Sequence, residues 1–560
     1  MARYLVTSAL PYANGPIHFG HAAGAYLPAD LYVRTLRMLG EDVLYVCGTD
    51  EHGVAITLKA EQEGAEFPEY VARWREEILA TFTQLGIEFD VFSGTNRSPS
   101  HAETSQEFFL QLDKSGYLKR RDTEQLYCAK DDIFLADRYV LGTCYVCGNE
   151  SARGDECPQC GTWIDALRLV SPSCKLCGSA PERRSTTHWY LDLPKLRDEH
   201  IGEWIAKHDW KPNVKAFILN MLKDVPERAI TRDMRWGIPV PDSVEGDTDG
   251  KVLYVWFDAP IGYISFTKDL MAERGTPDAW RDWWQSADTR LVHFIGKDNI
   301  PFHCMVFPSM LHGVKQDYVL PWAVPANEFY NLAGGKFSTS EGNTFDTAEF
   351  MQHYGAEVTR FYILCTLPET ADAEFNPEQL VLLNNASLSG NLGNLITRVL
   401  KFTVKNFDGR LPDLDPAHAA EYDAQLLGGD CGEVVDPAAS IREHQFRRAA
   451  EQLLANATVA NVFMQRTEPW ALRKTDPARA ASALATLVQY LHYLARWMAP
   501  FLPSKAQELW VMLGCEGEVS KQAWPSVPQA GEWRELPESH VLGTPEALFP
   551  RLELAAEPSA

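Results

Sequence analysis

Hydrophobic and polar positions along the chain fall into three textures. In the first, short apolar runs alternate with helical stretches. Tyr4-Leu5-Val6-Thr7 reads as a strand and runs into the turn Pro11-Tyr12-Ala13-Asn14-Gly15-Pro16. A helical stretch follows to Gly40, a C-cap glycine, and Val43-Leu44-Tyr45-Val46-Cys47 reads as the next strand. Two further helical stretches stop near Gly86 and Gly116. The order strand, turn, helix, strand predicts a parallel, doubly wound α/β sheet of Rossmann type. The same texture returns with Val252-Leu253-Tyr254-Val255-Trp256-Phe257 and with Leu291-Val292-His293-Phe294-Ile295-Gly296, a strand entering a glycine turn.

Between 118 and 240 helical periodicity fades and pairs of cysteines appear, which predicts an insertion into the α/β domain. After Pro377 the pattern is helical: Leu388, Leu392, Leu395, Val399 and Phe402 form one apolar stripe, the mark of bundle packing. The segment 408–437, rich in Asp, Gly and Pro, reads as containing loop, and helical segments follow at 438–466, 470–475 and 477–500. The expected division is 1–117 and 241–325 for the two halves of the α/β domain, 118–240 for the insertion, 326–378 for a connecting segment and 379–560 for the helical domain. There is no internal repeat and no low-complexity tract.

A chain of 560 residues with 45% hydrophobic content supports several cores. No apolar run reaches the ~18 residues that span a bilayer, and Met1 to Thr7 is too short for a secretory signal, so a cytoplasmic protein without membrane contact is expected. The net charge of −24 argues against indiscriminate nucleic-acid binding. It leaves room for an RNA ligand on a local basic face. Seven of the twelve cysteines lie between Cys128 and Cys177, which points to metal rather than to disulfides. Cys144-x2-Cys147-x9-Cys157-x2-Cys160 is a four-thiolate zinc pattern, with Gly148 and Gly161 just past the pairs. Cys174-x2-Cys177 is a third pair that needs partners, and Cys128-Ala129-Lys130-Asp131 repeats the spacing with Asp in place of the second cysteine.

His18-Phe19-Gly20-His21 stands at the start of a helix, where free N–H groups and the positive dipole end suit phosphate. Two histidines alone are ordinarily structural. Their setting adds weight. Ala9-Leu10-Pro11-Tyr12-Ala13-Asn14-Gly15 and Gly48-Thr49-Asp50-Glu51-His52-Gly53 both fall at the carboxyl ends of predicted parallel strands, where ligands of open α/β sheets bind. With Gly334-Gly335-Lys336-Phe337-Ser338-Thr339-Ser340 far downstream, the chain resembles the class I aminoacyl-tRNA synthetases, and the methionyl-tRNA synthetases most closely. Their hallmarks are an early His-x-Gly-His element and a later mobile Lys-Met-Ser-Lys-Ser loop. The match departs at Thr339, where the family's second lysine is missing, and at Glu341, where a basic residue is usual. Lys336 or Lys297 is then left to carry the charge.

The resemblance covers about 1–500 and weakens beyond. It implies His18, His21 and Lys336 as catalytic residues, and Gly20, His21, Lys297, Asp298, Lys336, Ser338, Thr339 and Ser340 as ATP contacts. Leu10, Tyr12, Trp256, Ala259, Pro260, Tyr263 and His303 match the methionine pocket in order, with Asp50 holding the α-ammonium; aromatic rings suit a thioether. Asn394, Arg398 and Trp470 match the set that reads the methionine anticodon, so the helical domain is expected to bind tRNA. Similar enzymes carry one or two structural zinc knuckles, which implies a second Zn²⁺ site from Cys128, Asp131, Cys174 and Cys177.

The expected activity is ATP-dependent ligation of methionine to its tRNA through an adenylate, with Mg²⁺ accompanying ATP. A monomer is expected, since no space remains for a further C-terminal domain. The alternatives are another class I synthetase or a non-catalytic paralogue that binds tRNA or methionine.

Overall fold

The computed structural model describes residues 2–135, 139–154, 157–160, 164–332 and 346–554. Its central sheet is built from strands β1 (Arg3–Ser8), β2 (Asp42–Thr49), β3 (Val91–Gly94), β4 (Thr289–Gly296) and β5 (Pro321–Ala323), in the order β5-β4-β1-β2-β3. Every pairing is parallel, with Leu5 opposite both Leu44 and Leu291. Parallel strands are covered on both faces, and their side chains alternate between the two sides. Tyr4, Val6, Val292 and Phe294 accordingly enter one core, while Leu5, Leu291 and Ile295 enter the other.

The first core also holds helix Leu27–Met38 and runs without a break through the C-terminal helices to Phe549. Buried Arg360 reinforces that junction. Its guanidinium pairs with Asp30 of Leu27–Met38 and donates to the carbonyls of Leu85 (3.1 Å), Pro500 (2.8 Å) and Phe501 (3.0 Å). The second core lies under helices His101–Lys114, Gly262–Glu273 and Phe307–Gly313.

The insertion is a long antiparallel ribbon, Leu118–Cys128 against Glu182–Leu191, with both cysteine groups at its far end. A three-stranded sheet there, Ala152–Arg153, Val140–Thr143 and Val170–Cys174, packs back on helix Val54–Glu63 through Val54 and Leu58. Tyr139 donates to Thr57 Oγ1 at 3.1 Å across that contact.

Several local expectations change. Val252 to Phe257 is not one strand: Lys251–Leu253 pairs antiparallel with Thr231–Asp233 outside the main sheet, and Val255–Asp258 turns helical. Six apolar residues suit a buried strand and a buried helical turn equally. The insertion is less helix-poor than its pattern suggests, with Leu193–Leu196, Gly202–Lys207 and Pro212–Met221 at its base. The segment 408–437 contains helix Pro416–Leu427, started by Asp415, whose carboxylate accepts from Ala417 N–H. The stretch ending near Gly86 is two helices, Val54–Glu63 and Phe67–Gln84, broken at left-handed Gly64. From Gln522 to Leu554 the chain wraps the bundle without helix and buries Trp533, Leu548 and Phe549. Among the described residues no helix is long and apolar enough to cross a membrane.

Candidate functional site

Strands β1 and β4 are neighbours whose connections leave in opposite directions, β1 towards β2 and β4 towards β5. Such a switch point opens a crevice at the carboxyl ends of the strands. A cavity of about 420 Å³ occupies that place. Leu10 and Tyr12 line it from the segment after β1, and Asp50 from the end of β2. Trp256, Ala259, Pro260 and Tyr263 enter from the helical turns that follow Tyr254, and His303 from the helix after β4. His18, Gly20, His21 and Asp298 share the same cavity.

Backbone pairing fixes the two strand ends together. Asp50 N–H donates to the Pro11 carbonyl at 2.9 Å, and Ala13 N–H donates to the Asp50 carbonyl at 2.9 Å. Buried Glu51 anchors the following turn, accepting from Arg75 (2.5 Å), Thr49 Oγ1 (2.8 Å) and Asn96 N–H (2.9 Å). Tyr12 meets Trp256 edge-on at 6.3 Å, and Trp256 stacks on Phe302 at 3.8 Å. His303 Nδ1 faces the Asn299 carbonyl at 3.2 Å, which places the proton on Nδ1. Nε2 is then the acceptor for the Tyr263 hydroxyl at 3.0 Å. Burial brings the His303 imidazole down to about 4, so this ring is neutral. Burial and then the nearby Asp258 push the Asp50 carboxyl well above the usual carboxylate range.

The two histidines of His18-Phe19-Gly20-His21 stack at 3.7 Å. His18 N–H donates to His21 Nδ1 at 3.2 Å, which leaves the proton of the neutral His21 ring on Nε2. Burial holds His21 at about 4; burial and then His21 hold His18 at about 2. A Cβ on Gly20 would lie 2.7 Å from the Tyr330 carbonyl oxygen and 2.9 Å from the His18 ring, so only glycine fits. The chain after the motif runs as a π-helical turn, Ala22–Tyr26, before the regular helix. A second π-turn, Phe302–Val306, follows β4 on the opposite wall. Wide turns of this kind recur at functional sites. Lys297 does not line the cavity; its ammonium pairs with Glu328 (2.9 Å) and Asp372 (2.8 Å). Lys336, Ser338, Thr339 and Ser340 lie outside the described residues.

In the bundle, Asn394 is exposed at the start of helix Asn394–Asn406, with Arg398 one turn on. The Arg398 guanidinium sits 5.2 Å from the ring centre of half-buried Trp470, which opens helix Pro469–Thr475 after Pro469. Arg398 and Trp470 therefore meet although 72 positions of sequence separate them, with Asn394 one turn before Arg398.

The chain matches the family model of the class I tRNA synthetases (M) over residues 4–400, and the anticodon-binding domain of methionyl tRNA ligase over residues 417–557. The chain belongs to the methionyl-tRNA synthetase family. It is 43% identical to the methionine–tRNA ligase of Protochlamydia amoebophila, over 98% of this chain and 78% of that one. It is 44% identical to that of Salinibacter ruber, over 98% and 79%. The fold is shared with Mycobacterium tuberculosis methionyl-tRNA synthetase, solved in complex with methionyl-adenylate, at a TM-score of 0.77 and 24% identity over 98% of this chain and 100% of that one. The similarity runs to residue 557, beyond the point near 500 where the sequence pattern thins.

Among the described residues, two groups of four potential zinc ligands are present. Cys144, Cys147, Cys157 and Cys160 converge, with Sγ pairs at 3.9 Å (Cys144–Cys160) and 3.6 Å (Cys147–Cys157). Four sulfurs around tetrahedral Zn²⁺ at ~2.3 Å stand about 3.8 Å apart, so the thiols fit that ion. Backbone N–H donation around Cys160 holds the Cys157 thiol down to about 6, easing its conversion to a thiolate ligand. Cys128, Asp131, Cys174 and Cys177 form the second group; Asp131 Oδ2 lies 3.1 Å from both Cys128 and Cys174. The two knuckles turn alike: Gly148 and Gly178 have positive φ and donate to the carbonyls of Cys144 (3.0 Å) and Cys174 (2.8 Å). Gly161 lies outside the described residues.

Sequence reasoning passed over one buried group. His52, His101 and Asp258 come within 4.8 Å of one another behind Asp50. His52 and Asp258 sit inside motifs read for other residues, and nothing in their spacing announces contact across 206 positions.

Proposed function

We propose that the chain ligates L-methionine to methionine tRNA through a methionyl-adenylate, supplying initiation and elongation of translation. One observation supports this best: a buried carboxylate, an aromatic wall and a stacked imidazole pair around a bare glycine all face one cavity at the switch point. The relative from Mycobacterium tuberculosis was solved with methionyl-adenylate, a ligand with the same two halves.

Asp50 takes the α-ammonium, and Leu10, Tyr12, Trp256, Ala259, Pro260, Tyr263 and His303 surround the thioether. Polarizable ring contacts favour sulfur over a methylene, which matters because size alone discriminates by only ~1–3 kcal/mol. A methionine carboxylate oxygen attacks the α-phosphorus of ATP. The bond to the bridging oxygen breaks, and pyrophosphate leaves with the electron pair. The terminal 2′-hydroxyl of tRNA then attacks the acyl carbon, AMP leaves, and the hydroxyl proton passes to the phosphate side. No enzyme nucleophile is needed; catalysis is positioning plus stabilisation of growing phosphate charge.

His18 and His21 are assigned to that charge. A neutral imidazole donates one N–H, and charge growing on the neighbouring oxygen strengthens that bond most in the transition state. Lys336, with Gly20, Lys297, Asp298, Ser338, Thr339 and Ser340, is assigned to ATP, which arrives with Mg²⁺. Asn394, Arg398 and Trp470 are assigned to the anticodon. Both cysteine groups would hold structural Zn²⁺, since each offers four protein ligands and so leaves no open position. The chain is proposed to work as a cytoplasmic monomer divided as its sequence texture suggests.

The test is methionine-dependent ATP–pyrophosphate exchange. His21→Ala should raise the activation barrier by ~2–4 kcal/mol with little change in methionine affinity. A normal exchange rate in the variant would remove His21 from this role.

A further inference from the structure

Asp258 is fully buried behind Asp50, and among the described residues no lysine or arginine ion-pairs with either carboxylate. His52 bridges them. Its backbone N–H donates to Asp50 Oδ1 at 3.2 Å, and its ring Nδ1 lies 2.6 Å from Asp258 Oδ2. His101 completes the group. Its Nδ1 faces Ser265 Oγ at 2.8 Å, and the Ser265 hydroxyl is spent on the Gly262 carbonyl at 3.1 Å. Nδ1 is therefore the donor, and His101 Nε2 is a bare acceptor, 4.0 Å from Asp258 Oδ2. Both His101 Nε2 and Asp258 Oδ1 are buried without a hydrogen-bond partner. Two buried carboxylates and a bare ring nitrogen thus share too few protons, and buried polar atoms left unsatisfied are costly.

We infer that Asp258, with His52 and His101, is a charge-setting device for amine recognition: the cluster holds one proton in common with Asp50 in the methionine-free enzyme, and docking of the substrate ammonium on Asp50 expels it. This deepens the proposed function and rests on Asp50 as the ammonium ligand. The exchange balances. The ammonium brings one positive charge into the buried site, and one proton leaves to solvent, so the net charge inside is unchanged and neither carboxylate is stranded. Asp258 is a positioning residue, since it does not line the cavity.

The groups facing the pair support this. Burial, then the Asp258 charge, pushes Asp50 well upward, and burial also raises Asp258. Burial, then His52, pushes His101 well down, so it does not take the proton. Glu51, the remaining acid beside Asp50, is neutralised by Arg75 at 2.5 Å. A metal ion on His52, His101 and Asp258 is the competing occupant, but the 2.6 Å separation is that of a shared proton.

The experiment is calorimetric titration of methionine into the whole enzyme from pH 6 to 8, in two buffers of different ionisation heat. The wild type should release protons on binding, approaching about one per methionine at the acid end, and its Kd should fall by up to about tenfold per pH unit before levelling. Asp258→Asn keeps the shape and removes the charge that holds Asp50 protonated. Its proton release should fall clearly below that of the wild type and the pH dependence of its Kd should weaken. If Asp258→Asn does not fold, His52→Gln keeps the backbone N–H and removes the ring link, and must alter the proton count. No release by the wild type, the same release by the variants, or a metal bound beyond the two cysteine groups would each overturn the inference. Asp50→Asn separates the two levels. If it binds methionine normally, the ammonium assignment itself fails; if it loses binding while Asp258→Asn behaves as wild type, only the shared proton fails.

Discussion

Trp470→Ala separates the two halves of the enzyme. The ring is half-buried at the start of helix Pro469–Thr475, with the Arg398 guanidinium 5.2 Å from its centre. No residue of this helix lines the cavity at the switch point. On the proposed anticodon role, removing the ring deletes a platform for an unstacked base, worth ~1–3 kcal/mol. It also frees Arg398 from a partly exposed cation–π contact worth ~0.5–1 kcal/mol, which loosens a base-edge donor. The stacking loss alone sets a fall of about 5- to 150-fold in kcat/KM for tRNA charging, and the loosened Arg398 pushes it towards the upper end. Pyrophosphate exchange should stay within about twofold, because activation needs no anticodon. Trp470→Phe keeps a stacking face and should recover most of the loss. The assay is charging of methionine tRNA beside exchange on the same preparation. Charging unchanged in Trp470→Ala would make the ring mere packing, and a parallel loss of exchange would mean that the substitution damages the fold rather than recognition.

Gly20→Ala forces a Cβ to 2.7 Å from a backbone carbonyl that cannot rotate away, and overpacking of that kind costs ~1–3 kcal/mol. Exchange should slow about 5- to 150-fold, and an unaffected rate would show that the His18–His21 pair tolerates displacement. Elemental analysis should find two Zn²⁺ per chain; one would remove the Cys128, Asp131, Cys174 and Cys177 site, and none would remove both. His21 and His303 sit at about 4 in the fold against 6.5 when solvated, so the folded state binds fewer protons between those values. Stability should therefore rise with pH through that window and be lost on acidification from 6.5 towards 4. A thermal midpoint identical at pH 6.5 and 4.5 would contradict their burial as neutral rings. Arg360→Met strands Asp30, which keeps Arg34 at 2.9 Å as a partner, so the loss should fall near the lower end of ~3–5 kcal/mol. Urea denaturation should show it, and a shift below about 1 kcal/mol would mean that the junction does not depend on Arg360.

Much of the site was legible because local chemistry marks it. Leu10, Tyr12 and Asp50 belong to short motifs at strand ends, and those ends are legible where a continuous apolar run gives way to a turn. The two groups of potential zinc ligands were legible because paired thiols at knuckle spacing have few other uses. What stayed hidden was set by contacts across the chain. Tyr254 to Asp258 is as apolar as a strand, and its helical turn depends on tertiary packing. The helices at 193–221 carry little periodicity because only parts of each face are buried; Phe217 and Leu219 remain exposed. The ion pairs of Lys297 with Glu328 and Asp372, each distant in sequence, were likewise set by the fold. The same limit concealed His52, His101 and Asp258.

On the proposed function, this cavity makes and holds an activated methionine. Native mass spectrometry of the purified chain, incubated with methionine, ATP and Mg²⁺ but no tRNA, tests it most directly. The expected result is a single methionyl-adenylate retained per chain, absent in Asp50→Asn and absent when leucine replaces methionine. A chain that retains no adenylate, or retains leucyl-adenylate equally, would contradict the account.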